Sequence, residues 1–181
     1  MRVTATAIPE VKLIVPRWFG DTRGFFMESW SAAAFADAGI DAVFVQDNHS
    51  RSARGVLRGL HYQRPRSQGK LIRVVAGAAF DVAVDLRRSS PSFGRWTATV
   101  LSAANRQMLW VPEGFAHGFL ALEDGTELLY KCTAPYVPAD ERAIAWNDPA
   151  LAIDWPLAGA APLLSDRDRA AGAFVDAELF E

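Results

Sequence analysis

The chain has 181 residues, half of them hydrophobic, and its 19 Lys and Arg nearly cancel its 21 Asp and Glu, for a formal net charge of −2. That length and apolar content suit one globular domain over residues 1–181, and the balanced charge excludes a global field that would draw the protein to nucleic acid or anionic lipid. No apolar run approaches the roughly 20 residues that span a bilayer, and the start MRVTATAIPE lacks a secretory core, so a cytoplasmic protein without a membrane partner is expected.

In chain order, strands are predicted over residues 12–15 and 24–29, followed by the sole clear helix over 31–39, where Ser31 is a plausible N-cap and Gly39 closes the end. Further strands are predicted over 43–48 and around His61, then over 70–86, where KLIRVVAGAAFDVAVDL reads as two strands about a turn at Gly77. In its second half Phe80, Val82, Val84 and Leu86 alternate with Asp81, Ala83 and Asp85, giving one apolar face and one that carries carboxylates. Strands over 96–101, 107–111, 118–122 and 127–133 and a short turn over 166–173 complete the pattern. Short strands at even spacing, with Gly and Pro scattered as turn markers, describe an all-β sandwich or barrel. Cys132, the single cysteine, cannot form an internal disulfide and reads as a small strand hydrophobe.

The three histidines, His49, His61 and His117, raise metal binding first. A metal-holding β-barrel usually draws two ligands from one strand as His-x-His, whereas the second residue after His61 is Gln63, a poor transition-metal ligand. His61 and His117 alone would make a thin site, so no metal is expected. The stretch GVLRGLHYQRPRSQGKL points elsewhere. Arg58 and Lys70 bring positive charge close to His61, which disfavours the imidazolium and leaves a neutral base. On an unbroken strand His61 and Gln63 share one face and Arg58 and Tyr62 the other, unless a bulge at Gly59 re-aims them. Lys70 is ordinarily a solvated lysine, but at the head of an apolar strand it can point inward and stabilise an oxyanion. Tyr130 is ordinarily a core tyrosine and alternatively a proton donor; Asp168 is a surface aspartate unless it meets the ring of His61. His117, if buried, would brace the site, and Arg23 and Asn48 at strand edges have turn chemistry as their ordinary role.

Taken together, FGDTRGFFMESW, QDNHSRSARGVLRGLHYQ, QGKLIRVVAGAAFDVAVDLRRSSPSFGRW, LSAANRQMLWVPEGFAHGF, YKCTAPYVPADERAIAWNDP and LLSDRD resemble, in order and spacing, the nucleotide-sugar 3,5-epimerases, the dTDP-4-dehydrorhamnose 3,5-epimerase family, over almost the whole chain. The resemblance implies a cupin-type jelly roll with short helices, no metal or other cofactor, a homodimer that exchanges N-terminal strands, and the nucleotide sugar dTDP-4-keto-6-deoxyglucose as substrate. It also implies His61 as general base, Asp168 as its orienting partner, Lys70 as oxyanion stabiliser and Tyr130 as the acid on the opposite face. Arg23, Glu28, Gln46, Asn48 and Arg58 are implied as substrate contacts, with His117 on the sugar side and Tyr136 near the thymine.

Elementary chemistry agrees. A hydrogen on the carbon beside a ketone is removable only if the resulting charge is held on oxygen, so a base and a cation must face the sugar together. Inversion needs the returning proton from the other face, which calls for a third group. The rival readings are an epimerase acting at C3 alone, a non-catalytic sugar-nucleotide-binding cupin, and a metal-dependent cupin.

Overall fold

The computed structural model describes residues 1–181 and is built almost entirely from antiparallel strands. They are β1 (Arg2–Ala5), β2 (Lys12–Val15), β3 (Trp18–Asp21), β4 (Gly24–Met27), β5 (Gln46–Ser52), β6 (Leu57–Gln63), β7 (Lys70–Ala76), β8 (Ala78–Asp85), β9 (Trp96–Ser102), β10 (Met108–Val111), β11 (Phe115–Ala121), β12 (Thr126–Cys132) and β13 (Glu141–Ala143). Helix α1 spans Ala32–Asp37, capped by the Ser31 hydroxyl, and helix α2 spans Asp166–Arg169. One sheet runs β1-β2-β10-β7-β12-β5 and the other β13-β6-β11-β8-β9, while β3 and β4 form a separate hairpin. The chain crosses repeatedly between the sheets, and this is a jelly roll of the cupin type. No helix is long and apolar enough to cross a membrane.

Between the sheets Ile72, Val74, Leu109 and Leu128 of the first meet Ala79, Leu101, Phe115 and Phe119 of the second. A second cluster lies behind β6, β8 and β11, where Leu60, Val82, Val84 and Leu120 are roofed by Ile144, Leu151, Trp155 and Leu179 of the C-terminal segment. This roof explains a sequence reading that needs amending. Asp81 and Asp85, placed by alternation on the polar face of β8, are fully buried. Asp81 lies between the sheets against His117, and Asp85 is satisfied by Arg87, Ser90 and Ser92. With both faces covered, β11 is buried throughout and β8 at every position but Phe80. On the outer face of the six-stranded sheet, Phe35 of α1 and Ile40 close a third cluster over Ile14, Leu71 and Met108.

Element limits also differ from expectation. The strand expected over 43–48 runs from Gln46 to Ser52, the one expected over 118–122 begins at Phe115, and only Asp166–Arg169 of the expected C-terminal turn is helical. β1, β3 and β13 carry no clear pattern of their own and exist through their partners. The β3–β4 hairpin leaves Phe19, Phe25 and Phe26 more than half exposed. The guanidinium carbon of Arg106 sits 4.2 Å from the ring centre of Trp18 and 4.5 Å from that of Phe25, fixing the hairpin by cation–π contact.

The irregularity that matters for the site lies in β6. His61 pairs with His117 and Arg58 with Phe119, so three steps along β6 match two along β11. This bulge, the alternative expected at Gly59, puts Arg58 on the same inner face as His61 and leaves Tyr62 behind the sheet. Glycine is required there: Gly59 has φ of +135°, and a Cβ on it would lie 2.6 Å from the Gly118 Cα. We expect Gly59→Ala to destabilise the fold by about 3 kcal/mol through strain and overpacking. In a thermal melt this reads as a midpoint lower by about 6–12 °C.

Candidate active site

The site forms where one end of β5, β12 and β7 faces β6 and β13. Pairing across the first sheet sets Gln46, Cys132 and Lys70 in one row and Asn48, Tyr130 and Ile72 in the next. Across the second sheet Glu141 pairs with Gln63, and Ala143 with His61. The two walls enclose a cavity of about 280 Å³ lined by Gln46, Asn48, His61, Lys70, Tyr130, Tyr136 and Glu141 among others.

Asp168 of α2 backs the site, meeting the ring of His61 from outside the cavity. Its Oδ1 lies 2.6 Å from His61 Nε2 and accepts the Gly59 backbone N–H at 3.3 Å, while Oδ2 accepts the Ser165 hydroxyl at 2.6 Å. The residue is 4% exposed. Burial alone would raise its carboxyl, but the bonds from His61, Ser165 and Gly59 outweigh this and hold it at about 2. The ionised carboxylate accepts a hydrogen bond from Nε2–H, an orientation that leaves the lone pair on Nδ1 of His61.

Facing this dyad, Lys70 is 8% exposed. Burial pushes its ammonium below the ordinary lysine range, opposed by Cys132, Asp81 and Glu141, and it has no hydrogen-bond partner. Burial raises the Tyr130 phenol above its usual value, so it stays protonated and available as a donor. A buried lysine without a hydrogen-bond partner, an imidazole oriented by a carboxylate and a protonated phenol around one cavity can remove a carbon-bound proton, hold the resulting oxyanion and return a proton.

Not every expected residue meets in the cavity. Gln46, Asn48 and Tyr136 line it, and Arg58 shares its face with the guanidinium on Ser52. His117 is buried beside His61 in the sheet, with Nε2 2.9 Å from Asp81, and does not line the cavity. Arg23 lies at the tip of the β3–β4 hairpin, its side chain 88% exposed and paired with Asp21, and Glu28 follows β4 outside the cavity. His49 lies outside the cavity too, paired with Glu127, and no three His, Cys, Asp or Glu side chains cluster in a metal-binding arrangement. Sequence reasoning missed Ser165, Glu141 and Arg167. Ser165 was findable from its place as N-cap three residues before Asp168, whereas Glu141 and Arg167 come together only through the fold.

The fold and the dyad define a jelly-roll enzyme of the acid–base type. Comparison with known proteins is specific: the family model for dTDP-4-dehydrorhamnose 3,5-epimerase matches residues 5–176. A dTDP-4-dehydrorhamnose 3,5-epimerase of Pseudomonas aeruginosa is 59% identical over 181 residues, covering 99% of each chain. The chain belongs to the dTDP-4-dehydrorhamnose 3,5-epimerase family. Among solved structures, a dTDP-6-deoxy-D-glucose-3,5-epimerase of Legionella pneumophila in complex with dTDP-4-keto-L-rhamnose superposes with a TM-score of 0.96 at 48% identity, over 99% of this chain and 97% of that one. A 3′-monoepimerase of Streptomyces bikiniensis in complex with dTDP-quinovose reaches 0.88 at 37% identity, over 94% and 87%.

The depressed carboxyl of Asp168 makes stability depend on pH. Its contribution is complete above the ordinary aspartate value of 3.8 and is lost as pH falls through the folded value of about 2. The stake is roughly 2 to 3 kcal/mol. We expect urea unfolding of Asp168→Asn to show about that much less loss of stability than wild type between about pH 6 and pH 2, together with a lower stability at pH 6.

Proposed function

We propose that this protein inverts C3 and C5 of dTDP-4-keto-6-deoxy-D-glucose to give dTDP-4-keto-L-rhamnose. The observation that carries the reading is the convergence of the His61–Asp168 dyad, the unpaired ammonium of Lys70 and the phenol of Tyr130 on one cavity. The related Legionella pneumophila structure, holding dTDP-4-keto-L-rhamnose, supports the choice of substrate.

In the proposed reaction His61 takes the proton from C3, and the electrons of the C–H bond move to the C4 oxygen, where Lys70 holds the enolate charge. Tyr130 then gives its proton to C3 from the opposite face, and the ketone reforms as the electrons return to carbon. The same groups act at C5, which also flanks the ketone, once the ring has reoriented. Each inversion leaves a proton on His61 and removes one from Tyr130, so the enzyme resets by exchange with solvent. Each acid or base contributes about 10²- to 10⁴-fold. No electrons are gained or lost overall, so the reaction needs no redox cofactor.

We also propose a homodimer. Arg23 and Glu28, implied as substrate contacts, lie outside their own chain's cavity, on and beside a hairpin whose aromatic side chains face solvent. Such an arm completes a site on a second copy, and the exposed rings are the kind of apolar patch an interface covers.

Incubation in D₂O followed by NMR tests the chemistry. Wild type should incorporate deuterium at C3 and C5 with inversion at both; label at C3 alone would identify a mono-epimerase. His61→Ala should lose exchange by at least about 10²-fold, whereas Tyr130→Phe should exchange while inversion falls. Full exchange by a folded His61→Ala protein would remove His61 as the base.

The arm has its own test. Arg23→Ala and His61→Ala chains, each weak alone, should on mixing recover about a quarter of the wild-type rate, because half the dimers are mixed and each restores one complete site. No recovery would place Arg23 at its own chain's substrate or at none.

A further inference from the structure

Cys132 is fully buried and takes no part in the proposed reaction, yet it stands directly beside Lys70. The two are paired across β12 and β7, an arrangement that sets Cβ atoms on one face about 4.5–5.5 Å apart. On its other side Lys70 pairs with Val111 of β10, so the thiol is the only polar side chain adjoining it in that row. No hydrogen bond joins the two. The partner of the thiol is Asn48, whose Nδ2 donates to Sγ at 3.5 Å while its Oδ1 accepts from Gln46 Nε2 at 2.9 Å. From the opposite sheet Asp81, held by His117, and Glu141, held by Tyr136 and Arg167, act on Lys70. His61 and Tyr130 share its cavity, Arg58 stands on the same face as His61, and Asp47 acts on the thiol from β5.

Position 132 is under opposing demands. The Asn48 amide needs an acceptor there, which an aliphatic side chain would not supply. The ammonium must not find a strong one, because a carboxylate or hydroxyl within reach would take the hydrogen bonds that the substrate oxygen is to receive. A thiol meets both conditions, being a weak acceptor that carries no charge while protonated. Burial pushes the Cys132 thiol above its ordinary range, against the Lys70 charge and the Asn48 bond that draw it down, so it stays protonated at neutral pH. We propose that Cys132 is a positioning residue that acts through Lys70: as a neutral, weakly accepting neighbour it leaves the ammonium free for the ketone oxygen of the sugar. The inference rests on the function proposed above.

The test compares Cys132→Asp, Cys132→Ser and Cys132→Ala, each checked for folding in urea, in kcat and in the pH profile of kcat/KM. A carboxylate beside Lys70 should raise the alkaline limb of that profile by about 1–3 pH units, since the pair holds the ammonium proton to higher pH. It should also lower kcat at least about tenfold, by occupying the ammonium. Cys132→Ser should turn over at least about threefold more slowly than Cys132→Ala, whose methyl group offers the ammonium nothing. A merely structural role for the thiol would lower kcat without moving the limb. A folded Asp variant that keeps the wild-type kcat or the wild-type limb, or a Ser variant as fast as Ala, would each overturn the proposal. If Cys132→Asp does not fold, the comparison of Ser with Ala decides alone. Deuterium exchange by wild type keeps the two claims apart: a wild-type protein that fails to exchange sinks the proposed reaction, whereas one that exchanges beside an unaffected Asp variant sinks only the role of Cys132.

Discussion

Everything in the site turns on Lys70 being a buried cation with no counter-charge. The nearby carboxylates are all engaged: Asp168 by His61 and Ser165, Asp81 by His117, Glu141 by Tyr136 and Arg167. In its row Lys70 lies between Cys132 and Val111, with the Gln46 carboxamide beyond the thiol. A charge taken from water is costly, and Cys132, Asp81 and Glu141 offset that cost only in part and without a hydrogen bond to Lys70. Negative charge that appears on a bound ketone oxygen relieves it directly, so the interaction is stronger in the charged intermediate than in the ground state. That difference is what accelerates a reaction.

The jelly roll supplies the opposition that stereochemical inversion needs. Lys70 and Tyr130 stand on adjacent strands of one sheet, and His61 stands on the other, so acid and base look at each other across the gap between layers. Sheets in a sandwich keep that gap through their whole hydrophobic core, here Ile72, Val74 and Leu128 against Phe115 and Phe119. The core below the cavity thus sets the spacing of the groups above it.

Much of this was legible in the residues, for identifiable reasons. The paired strands about Gly77 declare themselves by alternation, and α1 by its Ser31 cap. The four groups proposed to carry the chemistry lie in blocks whose resemblance to a family is specific, and the fold brings those four together. What escaped notice depends on distance in sequence. Nothing local connects Glu141 to Tyr136 and Arg167, because a strand pairing and a helix docking bring them together. The burial of β11, and of β8 at all but Phe80, was hidden because their second cover comes from the C-terminal segment. Arg58 changed faces for a backbone reason: period-two reading holds only until a residue is inserted, and Gly59 marks where it is.

That inserted residue also limits how far the site can be transplanted. An engineer who copied His61, Arg58 and Gln63 onto a regular strand of another β-sandwich would send the guanidinium into the hydrophobic layer behind the sheet. The surplus position in β6, and the glycine pair Gly59 and Gly118 that lets the two backbones touch, would have to travel with the side chains. The catalytic pattern is therefore a property of an irregular backbone as much as of the groups it displays.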